Sequence, residues 1–417
     1  MIIALLPVSL MFLFANDLTQ PTFLLKGITH FLIIWLISNT LAAVIGSSMG
    51  LLIKNKFSYL SSLIVYGFFV WVSSNIPIKP INKYLNIFDD NTYIVSNNLS
   101  GIIFNTDYFL DKLFIILIIF SFIFIVRIFL VPKKKIINSL ILSILIVSIF
   151  SLPIWSNSNY QTVTFPTNQS MKNISYEIQE YNMNLELNNK LKNKATLKIG
   201  FLENSKDIVL ALDNIFSVKN LKISNSPTSF THNNNLINIP STHKKGDVIT
   251  LTIDYEGTVN MNNNIGFNTY YVAESAINLP GSVFDWYPNL RNQSSIDFEV
   301  TVNSSAKIYS NISSLSSEEE HLVGTANSLN IFAGQYQQAE VDGIQYIIPN
   351  SFTVNGFKSD LESIIKSMLG NKNFPEDDLL VLKDKKYKRV IVGIWPFGVS
   401  SSPVQIIGDT ILVYYNQ

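Results

Sequence analysis

Five apolar stretches in the first 155 residues constrain the fold of this chain more than any other feature. Four of them, Ile28–Ile53, Phe57–Ile76, Leu113–Val131 and Ile136–Trp155, approach the roughly 20 residues that an α-helix needs to cross a bilayer. The first, Ile2–Ala15, is shorter, but we interpret it as a span because no cationic segment precedes it, with a signal-peptide core as the alternative. The sequence predicts a membrane α-helical bundle of about five spans over residues 1–155.

Lysines mark the two shortest loops between these stretches. Lys54 and Lys56 follow the second stretch, and Lys133, Lys134 and Lys135 follow the fourth. Short loops rich in lysine stay in the cytoplasm, and in a five-span alternation both of these loops fall on the same side of the membrane. We therefore expect a multi-pass protein of the cell membrane whose C-terminal domain is extracytoplasmic.

The apolar stretches contain few residues that could carry transport chemistry. No Asp or Glu lies within any of the five, whereas ion-coupled carriers place ionisable groups inside their spans. His30 lies at the entrance of a span, where we interpret it as an interfacial residue. Gly46 and Gly50 form a Gly-x-x-x-Gly motif, which predicts close packing against another helix.

Composition excludes several further classes of function. The chain of 417 residues has no cysteine, so a thiolate metal site, a disulfide and a cysteine nucleophile are all ruled out. Residues 1–155 hold 10 Lys/Arg and 5 Asp, while the rest hold 20 Lys/Arg and 25 Asp/Glu, so no concentrated basic face favours nucleic acid. No Walker A loop is present, and an ATPase would have to be another chain.

Residues 156–417 show the alternating pattern of strands after a polar linker at residues 156–171. Many short strands at this spacing predict an all-β extracytoplasmic domain, a sandwich or saddle of sheets, over residues 172–349. Helical spacing over Phe357–Leu369 and apolar runs at Arg389–Trp395 and Thr410–Tyr415 predict a partial α/β unit over residues 350–417. Four sets of side chains are predicted to face inward: Tyr181, Met183, Leu185 and Leu187; Ala195, Leu197, Ile199 and Phe201; Ile249, Leu251, Ile253 and Tyr255; and Ile296, Phe298, Val300 and Val302.

Five sequence segments of this half follow one another in a fixed order: YNMNLELNNKLKNKATLKIGFLEN, ITLTIDYEG, YVAESAINLPGSVFDWYPN, IDFEVTV and IFAGQYQQAEV. Their order and spacing resemble the aminopeptidase N family of zinc peptidases. The resemblance implies the N-terminal β domain of that family and only the beginning of its next domain. The small-residue stretch from Ile28 to Tyr66 in turn resembles the membrane region of type-2 ABC permeases.

The zinc chemistry of the aminopeptidase family is not present in these residues. The family uses His-Glu-x-x-His on a helix, but none of the four histidines, His30, His232, His243 and His321, is followed by glutamate. The segment Gly398–Tyr415 lacks the Gly-x-Met-Glu-Asn loop that the resemblance implies. We therefore expect no metal, no cofactor and no catalytic residue, and hence a chain that is not an enzyme.

One segment is a candidate binding site. Glu274, Asp285, Trp286 and Tyr287 lie in the family-like stretch, where aromatic rings and an acid could form a cleft that faces a peptide. The alternative is packing between sheets, with the acids on the surface. The densest acidic cluster, Glu318–Glu320, indicates a solvated turn rather than a metal site.

These features together favour the permease subunit of a bacterial ABC-type transporter, with a non-catalytic peptidase-like outer domain that binds or gates a peptide-like substrate. The expected partners are membrane lipid, a cytoplasmic ATPase docked on the lysine loops, and a second permease copy or partner. Two alternatives remain: a fragment of a membrane-tethered zinc aminopeptidase, and a membrane-anchored binding or sensor module.

Overall fold

The computed structural model describes residues 21–53, 55–75, 104, 106–158, 161–162, 174–262, 268–291, 295–314, 321–369, 376–394 and 404–415. The chain divides into two compact units. The first is helical and comprises Met1–Thr92 with Gly101–Tyr160, and the second comprises Gln161–Gln417 with Tyr93–Ser100. Each unit is described separately below.

Four α-helices form the described part of the first unit. They are α1 (Pro21–Leu52), α2 (Phe57–Asn75), α3 (Thr106–Leu130) and α4 (Lys135–Ser158), with a 3-10 turn at Pro132–Lys134 between the last two. Proline at the start of this turn ends α3, because it cannot donate a backbone hydrogen bond to a continuing helix.

Three of the described helices are long and apolar enough to cross a membrane: Leu25–Leu52, Tyr108–Leu130 and Pro132–Ile154. Helix α2 (Phe57–Asn75) coincides with the third predicted stretch, and Phe57–Phe69 is the apolar part of it whose side chains are described. The first predicted stretch, Ile2–Ala15, lies outside the described residues, so the number of five spans stays a prediction.

The helices of the first unit pack through apolar side chains of α1 and α3. His30 Nδ1 of α1 lies 2.9 Å from Tyr108 Oη of α3, and buried side chains that follow these two residues along both helices pack in one cluster. The two helices therefore run in the same direction, and the turns that follow them lie at the same end of the unit. The buried side chains that join them are Ile37, Leu41, Ile45, Phe114, Ile115 and Ile119.

Within the described residues the strands of the second unit form four sheets, and the largest has eight strands. All of the side chains predicted to face inward on its four central strands are buried, which confirms the register inferred from their alternation. In spatial order the strands are β15 (Ser313–Ser314), β16 (His321–Ala326), β13 (Ile296–Asn303), β2 (Tyr176–Leu187), β3 (Leu191–Phe201), β9 (Val248–Gly257), β5 (Ser217–Ile223) and β6 (Ser226–Pro227).

A six-stranded sheet and a three-stranded sheet complete the β region. The six strands are β1 (Gln161–Thr162), β10 (Asn260–Asn262), β11 (Asn268–Ala273), β12 (Ala276–Pro280), β17 (Asn330–Ala333) and β14 (Ile308–Ser310), and the three are β4 (Ser205–Ala211), β8 (Leu236–His243) and β7 (Thr231–Asn233).

A five-stranded mixed sheet follows, with parallel pairs on both sides of its central strand, β20 (Arg389–Ile394). Its order is β18 (Tyr336–Val341), β19 (Ile344–Pro349), β20 (Arg389–Ile394), β22 (Thr410–Tyr415) and β21 (Val404–Ile407). Helices α5 (Val354–Leu369) and α6 (Glu376–Lys383) connect β19 to β20. The helix predicted at Phe357–Leu369 is present as α5, which buries Phe357, Leu361, Ile365 and Met368.

The hairpin β18–β19 corrects the predicted boundary of the mixed unit. Residues 172–349 are predicted to form one β domain, but β19 pairs with β20 and β18 pairs with β19, so Tyr336–Pro349 belongs to the mixed sheet. The alternation within β18 indicates a strand. It does not show which sheet the hairpin joins, because backbone pairing with β20 is made 44 residues along the chain, for example between Gln345 and Arg389.

Candidate functional site

The candidate segment lies between β12 and β13 and folds as a series of turns. The backbone N–H groups of Val283 and Phe284 both donate to the carbonyl of Pro280, at 3.1 and 3.0 Å. Gly281 is required at the start of this segment, because a Cβ there would lie 2.2 Å from the carbonyl oxygen of Leu329 and 2.7 Å from the ring of Tyr287. The chain then runs into the protein, and residues 283–290 are all buried.

The aromatic side chains of the candidate site are part of the core. Trp286 is 0% exposed and Tyr287 is 1% exposed. The Tyr287 ring packs edge-on against Tyr181 and Phe298 of the eight-stranded sheet, with centroids 5.5 and 6.1 Å apart. Its hydroxyl accepts a hydrogen bond from the Leu329 N–H at 3.0 Å. These rings join the sheets, and they do not form the wall of an open cleft in this structure.

The Asp285 carboxylate is held by an ion pair inside this segment. Its Oδ2 accepts hydrogen bonds from Arg291 Nε at 3.0 Å and from Arg291 Nη2 at 2.5 Å. Its Oδ1 accepts one from Asn289 Nδ2 at 3.2 Å. Both of its oxygens are therefore engaged, which satisfies a carboxylate that is only 8% exposed. A peptide-facing role for the Asp285 carboxylate would require this ion pair to open.

A second buried carboxyl lies beside this ion pair. The Asp213 N–H donates to the carbonyl of Asp285 at 2.9 Å, and the backbones of Ala211 and Asn289 exchange two hydrogen bonds. Burial raises the pKa of Asp213, the nearby Asp285 carboxylate raises it further, and the hydrogen bond from the Ile215 N–H lowers it. Sequence reasoning missed both Asp213 and Arg291, since neither belongs to a motif and Asp213 is 72 residues from Asp285.

Glu274 does not belong to this cluster. It lies in the turn between β11 and β12 and its side chain is exposed, while its backbone carbonyl accepts a hydrogen bond from Ser305 Oγ at 2.7 Å. Of the four predicted residues, the structure brings Asp285, Trp286 and Tyr287 together through their adjacency in sequence. Peptide binding by this segment stays a prediction.

A polar group of side chains lies where the six-stranded and mixed sheets meet. Ser282 Oγ and Tyr414 Oη both donate to Gln405 Oε1, at 2.7 and 3.1 Å. The Ser282 N–H donates to Asn330 Oδ1 at 3.4 Å. Ser282 is exposed, so this group reaches the surface and could hydrogen-bond a polar ligand. Nothing in the sequence pattern joins these residues, which come from the turn after β12 and from the three strands β17, β21 and β22.

The described residues offer no set of side chains suited to zinc, because no group of three or more His, Asp or Glu residues comes together among them. His232 Nε2 contacts the Leu212 carbonyl at 2.9 Å, and His321 Nε2 lies 3.3 Å from Glu299 Oε1. His243 stacks on Phe201 with centroids 4.4 Å apart. These three histidines therefore lie in different places and do not come together as ligands of one metal ion. Glu318–Glu320 lie outside the described residues.

The lysines predicted to dock a partner lie at the turns of the helical unit. Lys133, Lys134 and Lys135 are exposed in the 3-10 turn and at the start of α4, and Lys56 is exposed before α2. Lys54 lies outside the described residues. At Gly46 and Gly50 a Cβ would find no atom of the described residues within 4 Å, so the face on which they lie has no described neighbour.

No family model and no curated protein matches this chain. It is similar to the solved M1 zinc metallopeptidase from Deinococcus radiodurans, with 14% identity and a TM-score of 0.41 over 62% of this chain and 65% of that one. A mutant two-domain M1 zinc metallopeptidase bound to L-arginine is 14% identical, with a TM-score of 0.41 over 61% of this chain and 64% of the peptidase. Yeast LTA4 hydrolase in complex with bestatin is 12% identical, with a TM-score of 0.37 over 58% of this chain and 40% of the hydrolase.

The prediction that this chain is not an enzyme is wrong as it stands. The solved structures that it resembles are zinc metallopeptidases and LTA4 hydrolase, which are enzymes. The 417 residues of this chain contain no His-Glu-x-x-His motif. The chain spans 65% of the length of the Deinococcus radiodurans peptidase. A missing local motif is therefore not a sufficient reason to exclude catalysis. The comparisons do not test the resemblance to ABC permeases, which stays a prediction.

Proposed function

We propose that this chain is the membrane-tethered scaffold of a protein of the zinc aminopeptidase type. One observation carries the proposal: a single chain joins three helices long and apolar enough to cross a bilayer to a β region that leads into a mixed parallel sheet. The order of the five sequence segments supports the same assignment. In this proposal the helices tether the β region and the mixed sheet to the membrane, and the β region and the mixed sheet bind peptides.

The described residues of this chain would bind and position a peptide. Zinc, when bound in such an enzyme, polarises the peptide carbonyl and activates water, but the described residues supply no ligand set for it. The Asp285–Arg291 ion pair fixes the segment that joins the sheets. The exposed Ser282 hydroxyl and the Gln405 amide beside it are suited to hydrogen-bond a peptide backbone at the junction with the mixed sheet.

Isolation of the protein from its natural membrane tests this function. We expect alkaline carbonate to leave the protein in the membrane fraction, and we expect the protein in mild detergent to bind short peptides, with weaker binding in Ser282→Ala. A membrane-bound protein that binds no peptide would overturn the peptide-binding part of the proposal and leave the tether intact.

The location of the β region can be tested separately, because the chain has no cysteine of its own. We propose that it lies outside the cytoplasm, since the lysine turns favour the cytoplasmic side. A cysteine at exposed Lys194 should react with a membrane-impermeant maleimide in intact cells, whereas one at exposed Lys134 should react only after lysis. The opposite labelling pattern would refute this orientation.

A second candidate function is the permease subunit of an ABC-type transporter. It is favoured by the parallel course of α1 and α3, which puts Lys56 and Lys133–Lys135 at the same end of the helical unit. A partner ATPase could dock on this basic end. The turns there are only a few residues long, which leaves little chain for the helices that couple a permease to its ATPase. Co-purification of a nucleotide-binding subunit would support this candidate, and loss of that subunit in a variant with Lys133, Lys134 and Lys135 changed to Gln would locate the contact.

A further inference from the structure

The side-chain amide of Gln405 has its oxygen occupied and its nitrogen available. Gln405 Oε1 accepts hydrogen bonds from Ser282 Oγ at 2.7 Å and from Tyr414 Oη at 3.1 Å. A glutamine side chain carries one oxygen with two lone pairs and an NH₂ group with two donors. The two hydroxyls use both lone pairs, whereas Nε2 donates to no atom in the part of the chain that the structure describes. This half-buried amide therefore offers donors to a ligand.

A second amide beside it also has an unbonded donor. Asn330 is fully buried, and its Oδ1 accepts the Ser282 N–H at 3.4 Å. Because a backbone N–H can only donate, this contact fixes which end of the Asn330 amide is the oxygen. Asn330 Nδ2 has no hydrogen-bond partner among the described residues. A buried donor without an acceptor is unfavourable, so this nitrogen also favours a ligand that supplies one.

The four side chains of this group, Ser282, Asn330, Gln405 and Tyr414, are uncharged. Burial raises the pKa of the Tyr414 phenol, so Tyr414 keeps its proton and remains a donor at neutral pH. The group contains no carboxylate that could pair with an ammonium group. It also contains no cation that could offset the burial of a carboxylate. A neutral acceptor fits it better than either charged end of a peptide.

We propose that the Gln405 and Asn330 amides bind a backbone carbonyl oxygen in the interior of a peptide. A carbonyl oxygen is neutral and accepts two hydrogen bonds, which are what the two amides can donate. Recognition then depends on the peptide backbone and not on a free amino or carboxyl terminus. This inference rests on the proposed peptide binding by this chain and identifies the part of the peptide that is recognised.

Peptides with blocked ends test the inference on the full native protein in mild detergent. One short peptide is prepared with both ends free, with an acetylated amino end, with an amidated carboxyl end, and with both ends blocked. Isothermal titration calorimetry measures the dissociation constant of each form. We expect all four forms to bind equally tightly, because the carbonyl groups in the interior of the peptide are the same in all of them.

The substitution Gln405→Glu tests the donors themselves. Glutamate keeps an oxygen that can accept from Ser282 and Tyr414, but it replaces the NH₂ group by a second acceptor. It should weaken binding of the doubly blocked peptide about tenfold, the effect of losing one hydrogen bond. The matched control is Gln338→Glu, an exposed glutamine on β18 at the opposite edge of the mixed sheet, which should bind like the native protein.

Two results would overturn the inference. One is a loss of about tenfold in affinity for the native protein when either end of the peptide is blocked, which would show that a charged end is recognised. The other is unchanged binding of the doubly blocked peptide by Gln405→Glu, with circular dichroism showing that the variant is folded. If no form of the peptide binds the native protein, the proposed peptide binding is itself wrong. If Gln405→Glu does not fold, the four peptides on the native protein still decide the question.

Discussion

At the scale of single residues, the second unit depends on a few buried polar groups that are fully paired. Asp285 and Arg291 are the clearest case, because their side chains are only 10% and 18% exposed and form two hydrogen bonds to one another. Burying either charge alone would be unfavourable. Surface ion pairs such as Glu186–Lys192 contrast with this, because water screens both partners.

Removal of Arg291 should therefore destabilise the second unit strongly. We expect Arg291→Met to lower its free energy of unfolding by about 3 kcal/mol, because the Asp285 carboxylate is left buried without its partner. Urea unfolding followed by near-ultraviolet circular dichroism measures this change. Lys192→Met, which breaks an exposed pair, should leave the urea midpoint nearly unchanged, and equal effects of the two substitutions would contradict this assignment.

The raised pKa of Asp213 predicts that the stability of the second unit depends on pH. Its pKa is raised from the ordinary value of 3.8 in the folded protein, so the folded state keeps a proton that the unfolded state has released. This contribution to stability is complete below pH 3.8 and is lost as pH rises through the raised pKa. Asp213→Asn should flatten the stability profile in that interval. An unchanged profile would show that Asp213 titrates normally.

At the scale of elements, the segment from Gly281 to Arg291 joins the sheets of the second unit. It packs Tyr287 against the eight-stranded sheet and pairs its backbone with Ala211 at the end of β4. Gly281 allows this, because no side chain fits between its Cα and the carbonyl of Leu329. The backbone of this segment is irregular, but its contacts with the eight-stranded sheet, with Ala211 and with the Leu329 carbonyl fix its position.

Gly281→Ala should displace this segment. Its Cβ would lie 2.2 Å from a backbone oxygen, which cannot move without shifting β17, so we expect a loss of about 1–3 kcal/mol in the free energy of unfolding. The matched control is Gly393→Ala in β20, where the nearest atoms lie at an ordinary 3.4 Å. If both substitutions have the same urea midpoint as the native chain, the close approach at Gly281 does not exist.

At the scale of the whole molecule, the second unit buries an unusual set of phenol groups. Burial raises the pKa of nine of its described tyrosines above 10.0, and raises that of Tyr176 and Tyr387 to about 12. These rings come from all parts of the unit, including both the β region and the mixed sheet. Ionisation of any one of them places a charge in the core.

The second unit should consequently unfold in alkali in a single cooperative transition. Each tyrosine keeps its proton in the folded state after the unfolded chain has released it, so stability present below pH 10 is lost as pH rises through the folded pKa values. Nine of the 18 tyrosines belong to this set, so part of the tyrosinate absorbance should appear only above about pH 12, together with the change in circular dichroism, whereas the absorbance of the urea-unfolded chain should rise in full near pH 10. Appearance of the full tyrosinate absorbance well before the loss of structure would show that these phenols are accessible.

The sequence by itself determined the local structure of this protein. Alternation assigned Met183, Leu185, Ala195 and Leu197 to the buried face of their strands, because the two-residue period of a strand is set by the backbone alone. Helical spacing identified α5 in the same way. Length and apolarity likewise identified three helices that can cross a membrane, and the predicted number of five stays a prediction.

Tertiary structure alone decided which of these elements meet and which side chains form the candidate site. Asp213 and Asp285 are brought together by strand pairing across a long stretch of chain, and Ser282 and Gln405 meet because two sheets pack against each other. It also placed Trp286 and Tyr287 in the core, where the sequence allowed a cleft. The physical reason is that periodicity reports which face of an element is buried, whereas contacts between distant elements depend on packing over the whole chain.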